Sequence, residues 1–172
     1  MSRQERYHDY MMRRMREEAA MEKSKQRKWD ERFYEMARLV STWSKDPSTK
    51  VGAVAVNDER RILATGYNGF PRGIDDSEER LYDRAEKYPR VIHAEMNVLM
   101  NALYNGVSLR DATLYVSGLP ICADCAKSVI QSGIKRVFVE YPIEYPRTWQ
   151  DSWNQISKPM FEEAGVEIDY YD

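Results

Sequence analysis

Residues 112–140 read ATLYVSGLPICADCAKSVIQSGIKRVFVE, and the alternation within that stretch decides the fold class. ATLYVS (112–117) is β-branched and aromatic and predicts a strand. CADCAKSVIQSG (122–133) predicts a helix closed by Gly133, and KRVFVE (135–140) predicts a second strand. Strand, helix and strand in so short a span argue for an α/β sheet covered by helices, with its loops gathered at one edge. Upstream, VGAVAVN (51–57) and RILATGY (61–67) flank the turn Asn57-Asp58-Glu59-Arg60 and predict a hairpin. HAEMNVLMNALYNG (93–106) predicts a helix ending at Asn105-Gly106. Downstream, the loop YPIEYPRTWQ (141–150) leads to a helix over roughly 152–164, interrupted near Pro159, and to a last strand, VEIDYY. Trp29, Phe33, Met36, Val40 and Trp43 recur at helical spacing and predict one apolar face of a core helix.

The 172 residues suit one domain, and 42% apolar with 31% charged residues is ordinary for a globular chain. No apolar run is long enough to span a membrane, and the opening MSRQERYHDYMM lacks the pattern of a signal peptide. Two cysteines are too few for a disulfide framework and fit a reducing compartment. The expected location is therefore cytoplasmic, or the host cytoplasm for a viral chain. A net charge of −2 is not that of a polynucleotide binder, so neither nucleic acid nor membrane is expected as a partner. The charge is uneven. Residues 1–28 hold nine basic and five acidic residues with neither Pro nor Gly. They read as a charged helical extension to a domain over 29–172. Because its acids and bases are interleaved, a solvated helix resting on a neighbouring surface or subunit is favoured over an anion-binding arm.

Two histidines and two cysteines occur in the whole chain, and three of the four fall in His93-Ala94-Glu95 and Pro120-Ile121-Cys122-Ala123-Asp124-Cys125. Two thiolates and one imidazole make a three-ligand zinc set that leaves a fourth position open, the arrangement of catalytic rather than structural zinc. Both cysteines open a predicted helix, where free amides and the helix dipole stabilise thiolates. Glu95 lies within reach of a water activated at such a site without being a ligand, which suits a proton shuttle. A CxxC alone could equally be half of a structural zinc site or a redox dithiol. H-x-E followed by a Pro-led C-x-x-C is the pattern of zinc nucleobase deaminases.

Ser44-Lys45-Asp46-Pro47-Ser48-Thr49-Lys50-Val51-Gly52-Ala53, Gly66-Tyr67-Asn68-Gly69-Phe70-Pro71-Arg72-Gly73, His93-Ala94-Glu95-Met96-Asn97 and Cys122-x-x-Cys125-Ala126-Lys127 together resemble the deoxycytidylate (dCMP) deaminases of the zinc-dependent cytidine deaminase superfamily. The resemblance covers about 29–166. It implies a cytidine-deaminase-like three-layer α/β fold, a central five-stranded mixed sheet flanked by helices. It also implies hydrolysis of dCMP to dUMP and ammonia, feeding thymidylate synthesis; dCTP is the alternative substrate, and nucleic-acid editing or a non-enzymatic zinc-stapled module the alternatives from other classes. His93, Cys122 and Cys125 would hold one Zn2+ per subunit, with Glu95 as the catalytic acid and base. Asn68, which also reads as a turn residue, would bind sugar or base, and Ala94 and Ser117 would grip the pyrimidine edge. The family typically forms homohexamers activated by dCTP and inhibited by dTTP. Gly69, Arg72, Asp75 and Asp76 are the implied effector residues, and Mg2+ would accompany a nucleoside triphosphate.

Three departures stand out. Ile121 intervenes before the first cysteine, Tyr104 replaces a basic residue, and residues 75–90 lack the histidines with which some viral members bind a second zinc. For substrate phosphate the sequence offers Lys45, Lys50, Arg72, Arg80, Arg84, Lys87 and Arg90 without choosing among them. Tyr141, Tyr145 and Trp149 are candidates to cover the base, and packing on the body is the more ordinary role for Trp149.

Overall fold

The structure is a computed structural model that describes residues 2–141 and 145–171. Part of the predicted loop at 141–150, residues 142–144, therefore lies outside the described residues. Helix α1 (Arg3–Ser41) is followed by strands β1 (Gly52–Val56) and β2 (Ile62–Tyr67), short helices α2 (Glu78–Tyr82) and α3 (Arg84–Lys87), and helix α4 (Ala94–Tyr104). Strand β3 (Thr113–Ser117), helix α5 (Ala123–Gln131) and strand β4 (Arg136–Glu140) come next. A helical stretch follows as α6 (Arg147–Ser152), a π-helical turn (Trp153–Ser157) and α7 (Lys158–Glu163), before strand β5 (Glu167–Tyr171).

The five strands form one mixed sheet in the order β2-β1-β3-β4-β5. β1 is antiparallel to both β2 and β3, while β3, β4 and β5 run parallel, as their helical crossovers require. Alternation along the strands divides two apolar layers. Ala53 and Ala55, Leu114 and Val116, and Val137 and Val139 face a core with Val98 of α4, Val129 of α5 and Phe161 of α7. Tyr115 and Phe138 point the other way, where Phe33 and Tyr34 of α1 meet them with ring centroids 5.4 and 6.1 Å apart. Helices on both faces of the sheet make the three layers.

Two glycines set the distances between layers. A β-carbon on Gly52 would stand 2.1 Å from the Ala37 carbonyl oxygen, and one on Gly66 would stand 2.5 Å from both the Ala94 oxygen and the Val98 nitrogen. Backbone contact therefore seats α1 on β1 and the first turn of α4 on β2. The side chains of Asn97 and Asn101 hold α4 there, donating to the carbonyls of Tyr67 and Thr65, each at 2.7 Å.

Three boundaries differ from the sequence reading. The extension and the core helix are one uninterrupted helix, α1, although contacts group residues up to Arg32 in one unit and residues from Phe33 in another. Within the first unit, pairs such as Arg14–Glu18 at 3.1 Å and Arg27–Glu31 at 3.5 Å support a helix with little apolar face. The buried face of α1 is Phe33, Tyr34, Ala37 and Val40, whereas Trp43 lies beyond the helix end and is 53% exposed. The late helix already starts at Arg147, and its irregularity, near Pro159 as expected, is the turn just before that proline. Proline lacks an N–H and crowds the carbonyl four residues back, so the preceding turn widens to π geometry.

Candidate active site

α4 and α5 begin side by side, and their N-terminal ends carry the two sequence motifs. His93 and Cys122 are the N-cap residues, both in extended conformation (φ −70°, ψ 155° and φ −72°, ψ 164°), and Cys125 sits in the first turn of α5. A two-way backbone bridge between Gly69 and Ile92, at 3.1 and 2.8 Å, fixes the segment that delivers His93. The ligand atoms of His93, Cys122 and Cys125 lie within 4.8 Å of one another, and Nδ1 of His93 stands 3.4 and 3.5 Å from the two sulfurs. Nitrogen and sulfur ligands of a tetrahedral zinc, at ~2.05 and ~2.3 Å from the metal, are about 3.6 Å apart. The trio fits that ion.

The electrostatics also call for a cation. The Cys122 thiol is held below its usual range by hydrogen bonds from Cys125 and His93 against the penalty of burial. Its neighbour Cys125 is pushed up by the facing Cys122 and by burial. Two adjacent thiolates are thus costly until a metal neutralises them. Glu95 is 2% exposed, and desolvation lifts its carboxyl to about 7, the range of a group that both takes and gives protons near neutrality.

These residues open into a cavity of about 650 Å³. His93, Ala94, Glu95, Leu119 and Pro120 line it on the motif side, and Asp46, Ser48, Thr49, Asn68, Lys87 and Tyr88 also contribute to its wall. Tyr145, Pro146 and Trp149 complete the lining, with the Trp149 ring 6.4 Å from that of His93. Trp149 therefore packs at the site itself, whereas Tyr141 stacks on Tyr170 at 4.0 Å and does not line the cavity.

The other predicted residues divide. Ala94 lines the cavity and lies in the first turn of α4, where backbone amides have no intrahelical partner. Asn68 lines it too, but its side chain is tied to backbone: Oδ1 accepts from Val51 N–H and Nδ2 donates to the Thr49 carbonyl, both at 2.9 Å. Ser117 is not in the lining; its hydroxyl lies 3.3 Å from the Tyr34 hydroxyl and 3.4 Å from the Glu140 carboxylate. Glu140 in turn accepts hydrogen bonds from Tyr34 and Tyr145, which anchors the cavity-lining Tyr145. Among the implied effector residues, Asp76 pairs with Lys45 at 2.8 Å beside a smaller cavity of about 270 Å³. The Arg72 guanidinium turns to α4, donating to Asn101 at 2.9 Å and lying over the Tyr104 ring. The Asp75 carbonyl accepts from Arg80. Gly69 and Gly73 have no crowding neighbours, whereas Gly66 of the same block lies against the backbone of α4. The sequence marks Asp46, Ser48 and Thr49 only by their place in the SKDPSTKVGA block.

Residues 27–141 match the cytidine and deoxycytidylate deaminase zinc-binding region. An uncharacterized deaminase in the luxG 3′ region of Aliivibrio fischeri is 40% identical over 142 residues, covering 82% of this chain and 92% of that protein. The chain belongs to the cytidine and deoxycytidylate deaminase family. Another relative of this deaminase, the deoxycytidylate deaminase of Mus musculus, is 44% identical over 114 residues; the match spans 63% of this chain and 62% of the mouse protein. Among solved structures, the dCMP deaminase of cyanophage S-TIM5 in complex with dCMP and dUMP superimposes with a TM-score of 0.63 at 29% identity, covering 82% of this chain and 95% of that one. No described helix of the deaminase is long and apolar enough to cross a membrane.

Proposed function

We propose that this deaminase hydrolyses dCMP to dUMP and ammonia, using one zinc ion held by His93, Cys122 and Cys125. The observation that carries the reading is the meeting of that trio with the buried Glu95 carboxyl at the wall of one nucleotide-sized cavity. Zinc, when bound, supplies the Lewis acidity that makes water a nucleophile near neutral pH. The chain's own residues do the rest. Glu95 takes a proton from the attacking water and delivers it to the N3 position of the ring as the oxygen adds at C4. It then passes the second water proton to the amino group, which leaves as ammonia. Burial favours this relay, because a desolvated carboxyl is protonated and deprotonated at comparable cost. The walls formed by Trp149 and Tyr145 exclude bulk water from the ring.

The same reading takes the chain to be a domain over 29–172 preceded by its charged extension, assembled as a cytoplasmic homohexamer and regulated by dCTP and dTTP. Exposed Met100, Leu103 and Tyr104 on α4 support assembly, and the small cavity at Lys45 and Asp76 supports an effector site. Ammonia release measured with dCMP, dCTP, deoxycytidine, cytidine and a single-stranded oligonucleotide tests the assignment. Turnover greatest with dCMP is expected, and turnover confined to the oligonucleotide overturns it.

A further inference from the structure

Deamination leaves one polar cluster of the cavity without a task. Lys87, at the end of α3, places Nζ 3.2 Å from Asp46 Oδ1 and 3.2 Å from Ser48 Oγ, and the Lys87 and Asp46 side chains are 6% and 8% exposed. Removing an ion pair from water is costly, and a well-packed apolar pair would fill the same space more favourably. Asp46 also accepts the amides of Ser48 at 2.8 Å and Thr49 at 3.1 Å, so the loop before β1 is folded around this carboxylate. An ammonium has three donors. Two of them point at Asp46 and Ser48, which leaves one for a ligand in the cavity that Lys87 lines.

Lys87 is the one cationic side chain in that lining among the described residues. None of the other six candidate cations lines the cavity, and four of them are engaged elsewhere: Lys45 with Asp76, Arg80 and Arg90 with Glu86, and Arg72 with Asn101. We infer that Lys87, with the Ser48 hydroxyl, binds the 5′-phosphate of the substrate, and that Asp46 is the positioning residue that aims both. The inference rests on the cavity being a cytosine nucleotide site. A lysine is a compact point charge suited to a phosphate oxygen, and a charge-assisted hydrogen bond to it is shorter and stronger than a neutral one. Asp46 keeps the ammonium fixed and compensated while the subsite is empty. A nucleoside has no group to meet this ammonium, whereas a nucleotide brings phosphate oxygens to it. Lys87 therefore favours nucleotides over nucleosides.

The test measures equilibrium binding of dCMP and deoxycytidine to zinc-loaded protein carrying Glu95→Gln, which suppresses turnover. The same background is then compared with Lys87→Met and with Lys87→Met/Asp46→Asn. The double variant removes the orphaned carboxylate yet keeps an Oδ1 acceptor for the Ser48 and Thr49 amides, so it holds the loop if the single variant does not fold. Both should bind dCMP about 10- to 100-fold more weakly and deoxycytidine within about 3-fold of the parent. Inorganic phosphate should compete with dCMP in the parent and lose that competition in the variants. With Glu95 restored, the loss should appear in KM for dCMP far more than in kcat, since the phosphate is remote from the reacting ring. Equal weakening of dCMP and deoxycytidine, or unchanged dCMP binding, overturns the role of Lys87. A parent that binds none of the cytosine compounds instead removes the proposed function, and the phosphate subsite with it.

Discussion

Replacing Gly66 with alanine should damage the active site from the far side of a helix. The new methyl carbon would stand 2.5 Å from the Ala94 oxygen and the Val98 nitrogen and 2.9 Å from the Asn97 carbonyl carbon. All three are backbone atoms of α4, so no side chain can swing aside. Ordinary van der Waals contact begins near 3.4 Å, and the first turn of α4 must therefore retreat by about 0.9 Å. Asn97 and Asn101 resist that movement through their 2.7 Å hydrogen bonds to β2. The retreating turn carries His93 and Glu95, while Cys122 and Cys125 stay with α5. Overpacking of this kind typically costs about 1–3 kcal/mol, or about 2–12 °C in melting temperature for a chain of this size. The larger effect falls on function, because a displacement near 1 Å can cost about 100-fold in rate. Thermal melting, zinc stoichiometry and kcat/KM would be compared with those of Gly69→Ala, whose added methyl meets nothing nearer than 3.9 Å and should be silent. Gly66→Ala protein with parental zinc content and rate would refute the claim that backbone contact sets the position of α4.

Three other substitutions separate metal, proton transfer and loop structure. Glu95→Gln keeps the shape of the buried side chain but cannot accept a proton, so deamination should fall by about 10²–10⁴-fold while zinc content, read by elemental analysis, stays stoichiometric. Cys122→Ala and Cys125→Ala each remove one of three protein ligands and should abolish both metal and turnover; full zinc occupancy in either would mean the ligand set is different. Asn68→Ala orphans the Val51 amide and the Thr49 carbonyl and should lower stability by about 1–3 kcal/mol in a denaturant titration; parental stability would show that its two backbone contacts are dispensable.

Much of this molecule is legible in the sequence. The five strands and the helices that begin at His93 and Cys122 follow from β-rich runs, glycine stops and periodic apolar residues, all local signals. The chemistry is legible for a related reason. Metal ligands and a proton shuttle admit few residue types, and the chain's two cysteines and one of its two histidines fall at helix starts, beside an H-x-E. Boundaries are less legible. Trp43 fits the helical period yet is exposed, because the helix stops at Ser41, and the core takes Tyr34 and Ala37 instead.

Tertiary structure alone decided the rest, because it depends on contacts between residues far apart in the chain. Lys87 was one cation among seven in the sequence, and only its burial against Asp46, 41 residues away, singles it out. Gly66 stands in the sequence only as one glycine of the GYNGFPRG block, and the passage of α4 across β2 alone shows that a helix backbone lies against it. Trp149, which the sequence would sooner pack on the body, comes beside His93 because α6 carries it to the wall of the same cavity. Sequence pattern reports the hydrogen-bonding and apolar needs of neighbouring residues. Which distant side chains share a cavity wall is settled only when the layers close and water is expelled between them.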